Sequence, residues 1–148
     1  MHEFPHHYRV SGASDGQAPV RLSSAQLPTL ETAPPPEFGG PGGFWSPETL
    51  LCAAVADCFI LSFHAVARAS KLEWETLECN VEGRLERVEG VTRFTHFDIR
   101  ADLKISEPER RSLAERCLEK AEKSCLITNS LVSTKSLHAD IEVIETQG

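Results

Sequence analysis

Residues 46–70 read SPETLLCAAVADCFILSFHAVARAS, and this stretch decides the fold. Ser46 is a natural helix N-cap, Pro47 takes the first helical position, where its missing N–H costs nothing, and Glu48 faces the positive end of the helix dipole. The pattern predicts a helix over 46–70. From Leu50 to Leu61 only Asp57 interrupts an apolar run, and the apolar side chains fall on every side rather than on one stripe. Such a helix cannot lie on a surface with one wet face and must be surrounded. The run is shorter than the roughly 18 residues of a membrane span, so a soluble chain with no membrane partner is expected.

The flanking segments supply the cover. From Trp74 to Ile105 two long stretches rich in Val, Ile, Thr and Phe alternate with period two about Glu89-Gly90, which predicts antiparallel strands joined by a tight turn. Ser106-Glu107-Pro108-Glu109 has the form of a capping box, and Leu113, Cys117, Leu118 and Ala121 follow at amphipathic spacing, predicting a second helix over 107–123. Alternation of Leu137, Ala139, Ile141 and Val143 predicts a final strand over 131–145. Toward the N-terminus, Ser14-Asp15-Gly16 marks the turn of a hairpin over 6–24, its strands at His6–Ser11 and Pro19–Ser24. Residues 33–45 form a loop: Ala33 to Gly43 holds four of the nine prolines and four of the nine glycines. The fold class is therefore α+β, an antiparallel sheet wrapped around a buried central helix. So short a chain has little sheet to spare, and an interlocked homodimer is the natural way to finish the enclosure.

Composition narrows the function. At 148 residues, 41% hydrophobic and 25% charged, the chain fits a single domain over 1–148. A formal charge of −7, from 15 basic against 22 acidic residues, with no basic cluster, argues against nucleic acid as a partner. The first ten residues lack the basic and apolar regions of a signal peptide, so a cytoplasmic location is expected. Five cysteines (Cys52, Cys58, Cys79, Cys117, Cys125) form no Cys-x-x-Cys pair and no zinc-type quartet, and read as thiols in a reducing compartment with no metal or other cofactor. Cys58 and Cys125 fall on or beside different helices and can meet, although small buried thiols often do no more than fill a core.

Glu37-Phe38-Gly39-Gly40-Pro41-Gly42-Gly43-Phe44-Trp45-Ser46-Pro47-Glu48, running on to Cys58, resembles the first signature of the OsmC/Ohr family. Ala121 to Leu131, with Cys125 inside it, resembles the second. The resemblance covers nearly the whole chain and implies a thiol-dependent peroxidase reducing organic hydroperoxides, with an external dithiol as reductant. It implies Cys58 as the peroxidatic cysteine, Cys125 as the resolving cysteine and Glu48 as the glutamate of the site. The chemistry suits these residue types, since a thiolate attacks the O–O bond and the resulting sulfenic acid condenses with a second thiol.

An arginine should accompany Glu48, but 33–45 contains none, so Arg21 on the hairpin is chosen ahead of Arg9. Asp57 stands beside Cys58, where a carboxylate would raise the thiol pKa. Glu48 and Cys58 are ten residues apart on one helix, about 15 Å along it, so Glu48 either reaches the partner subunit's thiol or only supports the helix N-terminus. The other cysteines read as buried filler, His64 as a core or interface histidine, and His2, His6 and His7 as adventitious metal binders. Phe38, Phe44, Trp45 and Phe59 either line an apolar mouth or pack the core. The competing function is a protein of this fold that binds a small hydrophobic or thiol-reactive ligand without efficient turnover.

Overall fold

A computed structural model describes residues 2–17 and 19–145; residues 1, 18 and 146–148 of the expected domain lie outside the description. The chain divides into two compact units, Met1–Leu51 and Cys52–Gly148.

In the first unit β1 (Ser11–Ala13), β2 (Val20–Ser23) and β3 (Leu30–Thr32) form an antiparallel sheet in that order. The first strand starts later than the expected His6–Ser11, because the register pairs Ser11 with Ser23 and Ala13 with Arg21 and leaves the preceding residues without a partner strand. The third strand was not expected. Three residues are too few to display alternation, and β3 exists by pairing Val20 with Thr32 and Leu22 with Leu30. The Pro/Gly segment contains a 3-10 turn at Pro36–Phe38 and returns to the sheet through the Ala33 N–H, which donates to the Trp45 carbonyl at 3.0 Å. Gly40 is obligatory there, since a Cβ would lie 1.7 Å from the Pro34 carbonyl oxygen.

The helix α1 (Pro47–Ala69) opens as its sequence demands: Ser46 Oγ accepts the Thr49 N–H at 3.1 Å, and Thr49 Oγ1 accepts the Ser46 N–H at 2.9 Å. This reciprocal pair satisfies two donors that the first turn would otherwise orphan.

In the second unit β4 (Thr76–Val88) and β5 (Val91–Ile105) pair antiparallel, and β6 (Thr134–Val143) lies parallel to β5 on its other side. Glu89 (φ 51°) and Gly90 (φ 81°) make the two-residue turn, both with the positive φ that matches strand twist. A parallel neighbour requires a crossover, supplied by α2 (Arg111–Ser124) and the short α3 (Leu126–Asn129). The expected capping box before α2 does not form. Pro108–Arg110 turn as a 3-10 helix after Glu107, no side chain caps either helix start, and Glu107 instead pairs with Arg110 at 3.4 Å. The final strand begins at Thr134 rather than 131, the preceding residues being taken by α3 and a turn.

Phe97, Ile99, Ala101, Leu103 and Ile105 of β5 are buried at every second position, against Ala114, Cys117, Leu118 and Ala121 of α2 and the stripe Val55, Phe59, Phe63, Ala67 of α1. Cys52 crosses β4 at Gly83, where a Cβ would stand 2.9 Å from its Sγ, and Phe63 meets Trp74 edge-on at 5.3 Å. One three-stranded sheet covers one side of a helix. The rest of α1 is half-buried or exposed, Leu61 being 56% exposed, so among the described residues the sheet of this unit does not surround the helix. By length and composition alone α1 would also pass for a membrane span, yet its buried stripe belongs to the core of this unit.

Candidate functional site

Cys125 closes α2 and opens α3, and its side chain is fully buried. Burial pushes the thiol pKa up, but the Thr128 hydroxyl, the Thr128 N–H, the Cys58 thiol and the Ile127 N–H all donate to its sulfur, and the balance holds it below the ordinary thiol value. The local chain dictates this arrangement: a helix that stops at Cys125 and restarts at Leu126 aims freed backbone N–H groups at the side chain between them.

Cys58 lies on the flank of α1 beside the buried stripe, half-buried, with Ser62 Oγ one turn on at 3.9 Å from its sulfur. It is also near enough to Cys125 to lower that thiol's pKa, so the structure brings together the two cysteines singled out from the sequence. Asp57 is exposed and points away from the core.

Two further residues complete the surroundings of Cys125, and sequence reasoning missed both. Lys135 Nζ donates to Thr128 Oγ1 at 3.0 Å and to the Glu122 carbonyl at 2.6 Å, and lies 3.6 Å from the Glu122 carboxylate. With its oxygen occupied by the ammonium, the Thr128 hydroxyl directs its own proton to Cys125, either to the sulfur or to the carbonyl at 3.2 Å. A positive charge thus acts on the thiol through one hydroxyl. The signal was present in β6, where Lys135 shares the inward face with Leu137 and Ile141, an unusual place for a lysine unless it has partners.

Glu48 belongs to the first unit and lines an apolar groove of about 550 Å³ with Val20, Leu22, Pro34, Pro35 and Phe38. Among the described residues its Oε1 is buried without a hydrogen-bond partner. Arg21 alternates with Val20 and Leu22 along β2 and is exposed, so it faces away from the groove, and the chain does not bring Arg21 to Glu48. Phe59 is fully buried in the core rather than at a mouth, while Phe44 and Trp45 are exposed.

Of the remaining candidates, His64 lies against Trp74, ring centroids 5.1 Å apart, and Cys117 is buried on α2. Burial pushes the Cys52 thiol up, offset in part by the Gly83 backbone. Burial and the nearby Cys125 push Cys79 up to about 11. Among the described residues no cluster of three or more His, Cys, Asp or Glu side chains is placed to hold a metal ion.

Residues 40–139 match the family model described as OsmC-like protein. Protein YmaD of Bacillus subtilis (strain 168) is 29% identical over 112 residues, covering 74% of this chain and 75% of its own. Among solved structures, an OsmC-like protein from Vibrio cholerae O1 biovar eltor superposes with a TM-score of 0.80 at 18% identity, covering 92% of this chain and 100% of that one. The organic hydroperoxide resistance protein OsmC of Legionella pneumophila gives 0.74 at 22% identity, covering 95% and 100%. OhrB of B. subtilis, an organic hydroperoxide resistance protein, gives 0.67 at 17% identity, covering 93% and 98%.

Proposed function

The chain belongs to the OsmC-like protein family, and from that premise we propose that it is a cytoplasmic thiol peroxidase that reduces organic hydroperoxides with Cys58 and Cys125. The observation that carries the reading is the nearness of the Cys58 side chain to Cys125, which it helps to hold below the ordinary thiol pKa. Relatives of this fold named as organic hydroperoxide resistance proteins support the substrate class.

The pair supplies its own base. Cys125, as thiolate, takes the proton of Cys58, and the Cys58 thiolate attacks the terminal peroxide oxygen. The O–O bond breaks, the alkoxide leaves as alcohol with a proton drawn through Cys125, and Cys58 is left as sulfenic acid. Cys125, again a thiolate and kept so by the donors of Thr128 and Ile127, attacks the Cys58 sulfur, and hydroxide leaves as water, taking from solvent the proton that Cys125 released on first ionising. The product is a Cys58–Cys125 disulfide, which an external dithiol reduces in two exchange steps. Sum and balance agree: one hydroperoxide and two thiols give one alcohol, one water and one disulfide.

A second copy of the chain completes this site in the proposal. Support comes from the uncovered apolar side of α1 and from the orphaned Glu48 oxygen, which calls for a cation. Glu48 would then serve the thiol of the other subunit, with a cation other than Arg21, which faces away from the groove, as its partner. The decisive experiment is peroxide consumption with a dithiol reductant: Cys58→Ser should abolish turnover, while Cys125→Ser should retain a first turnover and accumulate oxidised Cys58. Undiminished turnover in Cys58→Ser would sink the proposal.

A further inference from the structure

An external dithiol has two sulfurs to choose from in the Cys58–Cys125 disulfide, and the fold treats them differently. Cys125 is 0% exposed, at the break between α2 and α3. The break is tied from both sides. The Asn129 N–H donates to the Cys125 carbonyl at 3.0 Å and the Thr128 hydroxyl lies 3.2 Å from the same oxygen. Lys135 Nζ spans the break, donating to the Glu122 carbonyl of α2 at 2.6 Å and to Thr128 Oγ1 of α3 at 3.0 Å. Baring the Cys125 sulfur means pulling these contacts apart. Cys58 is half-buried on the flank of α1, with Ser62 Oγ at 3.9 Å from its sulfur and no such strap across it. The burial of Cys125 comes from its own chain, so a second copy can only add to it. Cys58, by contrast, has to stay reachable in any assembly, because the hydroperoxide meets it.

We propose that the external dithiol enters the disulfide at Cys58 and that Cys125 is the sulfur that leaves. This rests on the peroxidase reading above. One thiolate of the reductant attacks the Cys58 sulfur: the reductant–Cys58 bond forms, the Cys58–Cys125 bond breaks, and the electron pair leaves on Cys125. The second thiolate of the reductant then attacks the reductant's own sulfur in that mixed disulfide, and the pair leaves on Cys58. The two protons of the dithiol pass through solvent to Cys58 and Cys125. One protein disulfide and one dithiol thus give two protein thiols and one oxidised dithiol.

The rate of exchange depends on access to the attacked sulfur and on the pKa of the thiol that leaves. Access favours attack at Cys58. The leaving group favours it as well, since against the upward push of burial the donors at Thr128 hold Cys125 below the ordinary thiol value. With its oxygen already taken by Lys135, the Thr128 hydroxyl has its proton to offer to the charge set free on Cys125. The strap that closes the break thus also receives the departing electrons. Peroxide and reductant take turns at one opening, that of Cys58, and the mixed disulfide never passes through the buried sulfur.

The test maps the first adduct formed by a monothiol, which has no second sulfur to clear it. Wild-type protein is oxidised with cumene hydroperoxide, shown by peptide mapping to hold the Cys58–Cys125 disulfide, and mixed with 2-mercaptoethanol. Acid quenching within the first turnover, N-ethylmaleimide labelling and mass spectrometry then show which cysteine carries the mercaptoethanol and which the maleimide. The adduct should lie on Cys58 and the maleimide on Cys125, exceeding the reverse by about tenfold or more, and the preference should fall to about even in urea, where no fold shields either sulfur. An adduct mainly on Cys125, or a native excess no larger than that in urea, overturns the assignment and leaves the peroxidase intact. A wild type that forms no Cys58–Cys125 disulfide overturns both.

Discussion

Replacing Thr128 by valine keeps the shape of a buried side chain and removes the one hydroxyl between Lys135 and Cys125. Lys135 Nζ would keep the Glu122 carbonyl at 2.6 Å and the carboxylate at 3.6 Å, so no ammonium is stranded, and the stability cost should stay near that of an ordinary hydrogen bond, about 1 kcal/mol. The effect on the thiol should be larger. Hydrogen bonds to charged acceptors are worth about 1.5–3 kcal/mol, and because the Thr128 proton is shared with the Cys125 carbonyl at 3.2 Å, the lower end applies. About 1.4 kcal/mol corresponds to about tenfold less thiolate at fixed pH below the midpoint. The remaining donors, two backbone N–H groups and Cys58, keep the change from being greater. Ultraviolet thiolate absorbance followed against pH, with the matching Cys125→Ser signal subtracted, reads it directly. Cys125 should titrate higher in Thr128→Val and return in Thr128→Ser. A valine variant whose Cys125 titrates where the wild type does, or lower, would refute the argument that this hydroxyl carries the charge of Lys135 to the sulfur.

Other perturbations probe the rest of the molecule. Gly83→Ala puts a Cβ 2.9 Å from Cys52 Sγ and from ring carbons of Phe94 and Phe97, and should cost about 1–3 kcal/mol in a denaturant melt; an unchanged midpoint would show that α1 does not press on β4 there. The Asp98 carboxyl is held below its ordinary value first by Ser136, which donates to it at 2.7 Å, and then by His138 and Arg100. A lowered folded pKa stabilises above the ordinary carboxylate range and loses that contribution as the pH falls through the lowered value. Ser136→Ala should therefore raise the Asp98 titration seen by NMR, lower the stability contributed at neutral pH, and make the part lost on acidification smaller and complete at a higher pH. The wild type should sediment as a dimer and Leu61→Asp, on the uncovered side of α1, as a monomer; a dimer that persists in the variant would place the interface elsewhere. A heterodimer of Glu48→Ala with Cys58→Ser should keep about half the wild-type activity if each site borrows its glutamate across the interface, and none if it does not.

The elements legible in the sequence are those whose determinants lie within a few residues of one another. Ser46, Pro47 and Thr49 specify the start of α1 by their own hydrogen bonds, Glu89-Gly90 specifies its turn by tolerance of positive φ, and the alternation along β5 specifies a strand because side chains there have period two. The pairing of Cys58 with Cys125 was legible for another reason, a resemblance in two separated signatures. Where sequence reasoning failed, the deciding partner was distant. Ser106 and Glu109 have the letters of a capping box, but Pro108 starts a 3-10 turn and Glu107 pairs with Arg110 instead. β3 is a strand only because β2 lies beside it, and β6 runs parallel only because α2 carries the chain back across the sheet. Lys135 is an unusual letter on the inward face of its strand, but the strand does not name its partners. Only folding sets it against Thr128 and Glu122, because those partners sit on other elements that meet β6 through tertiary packing.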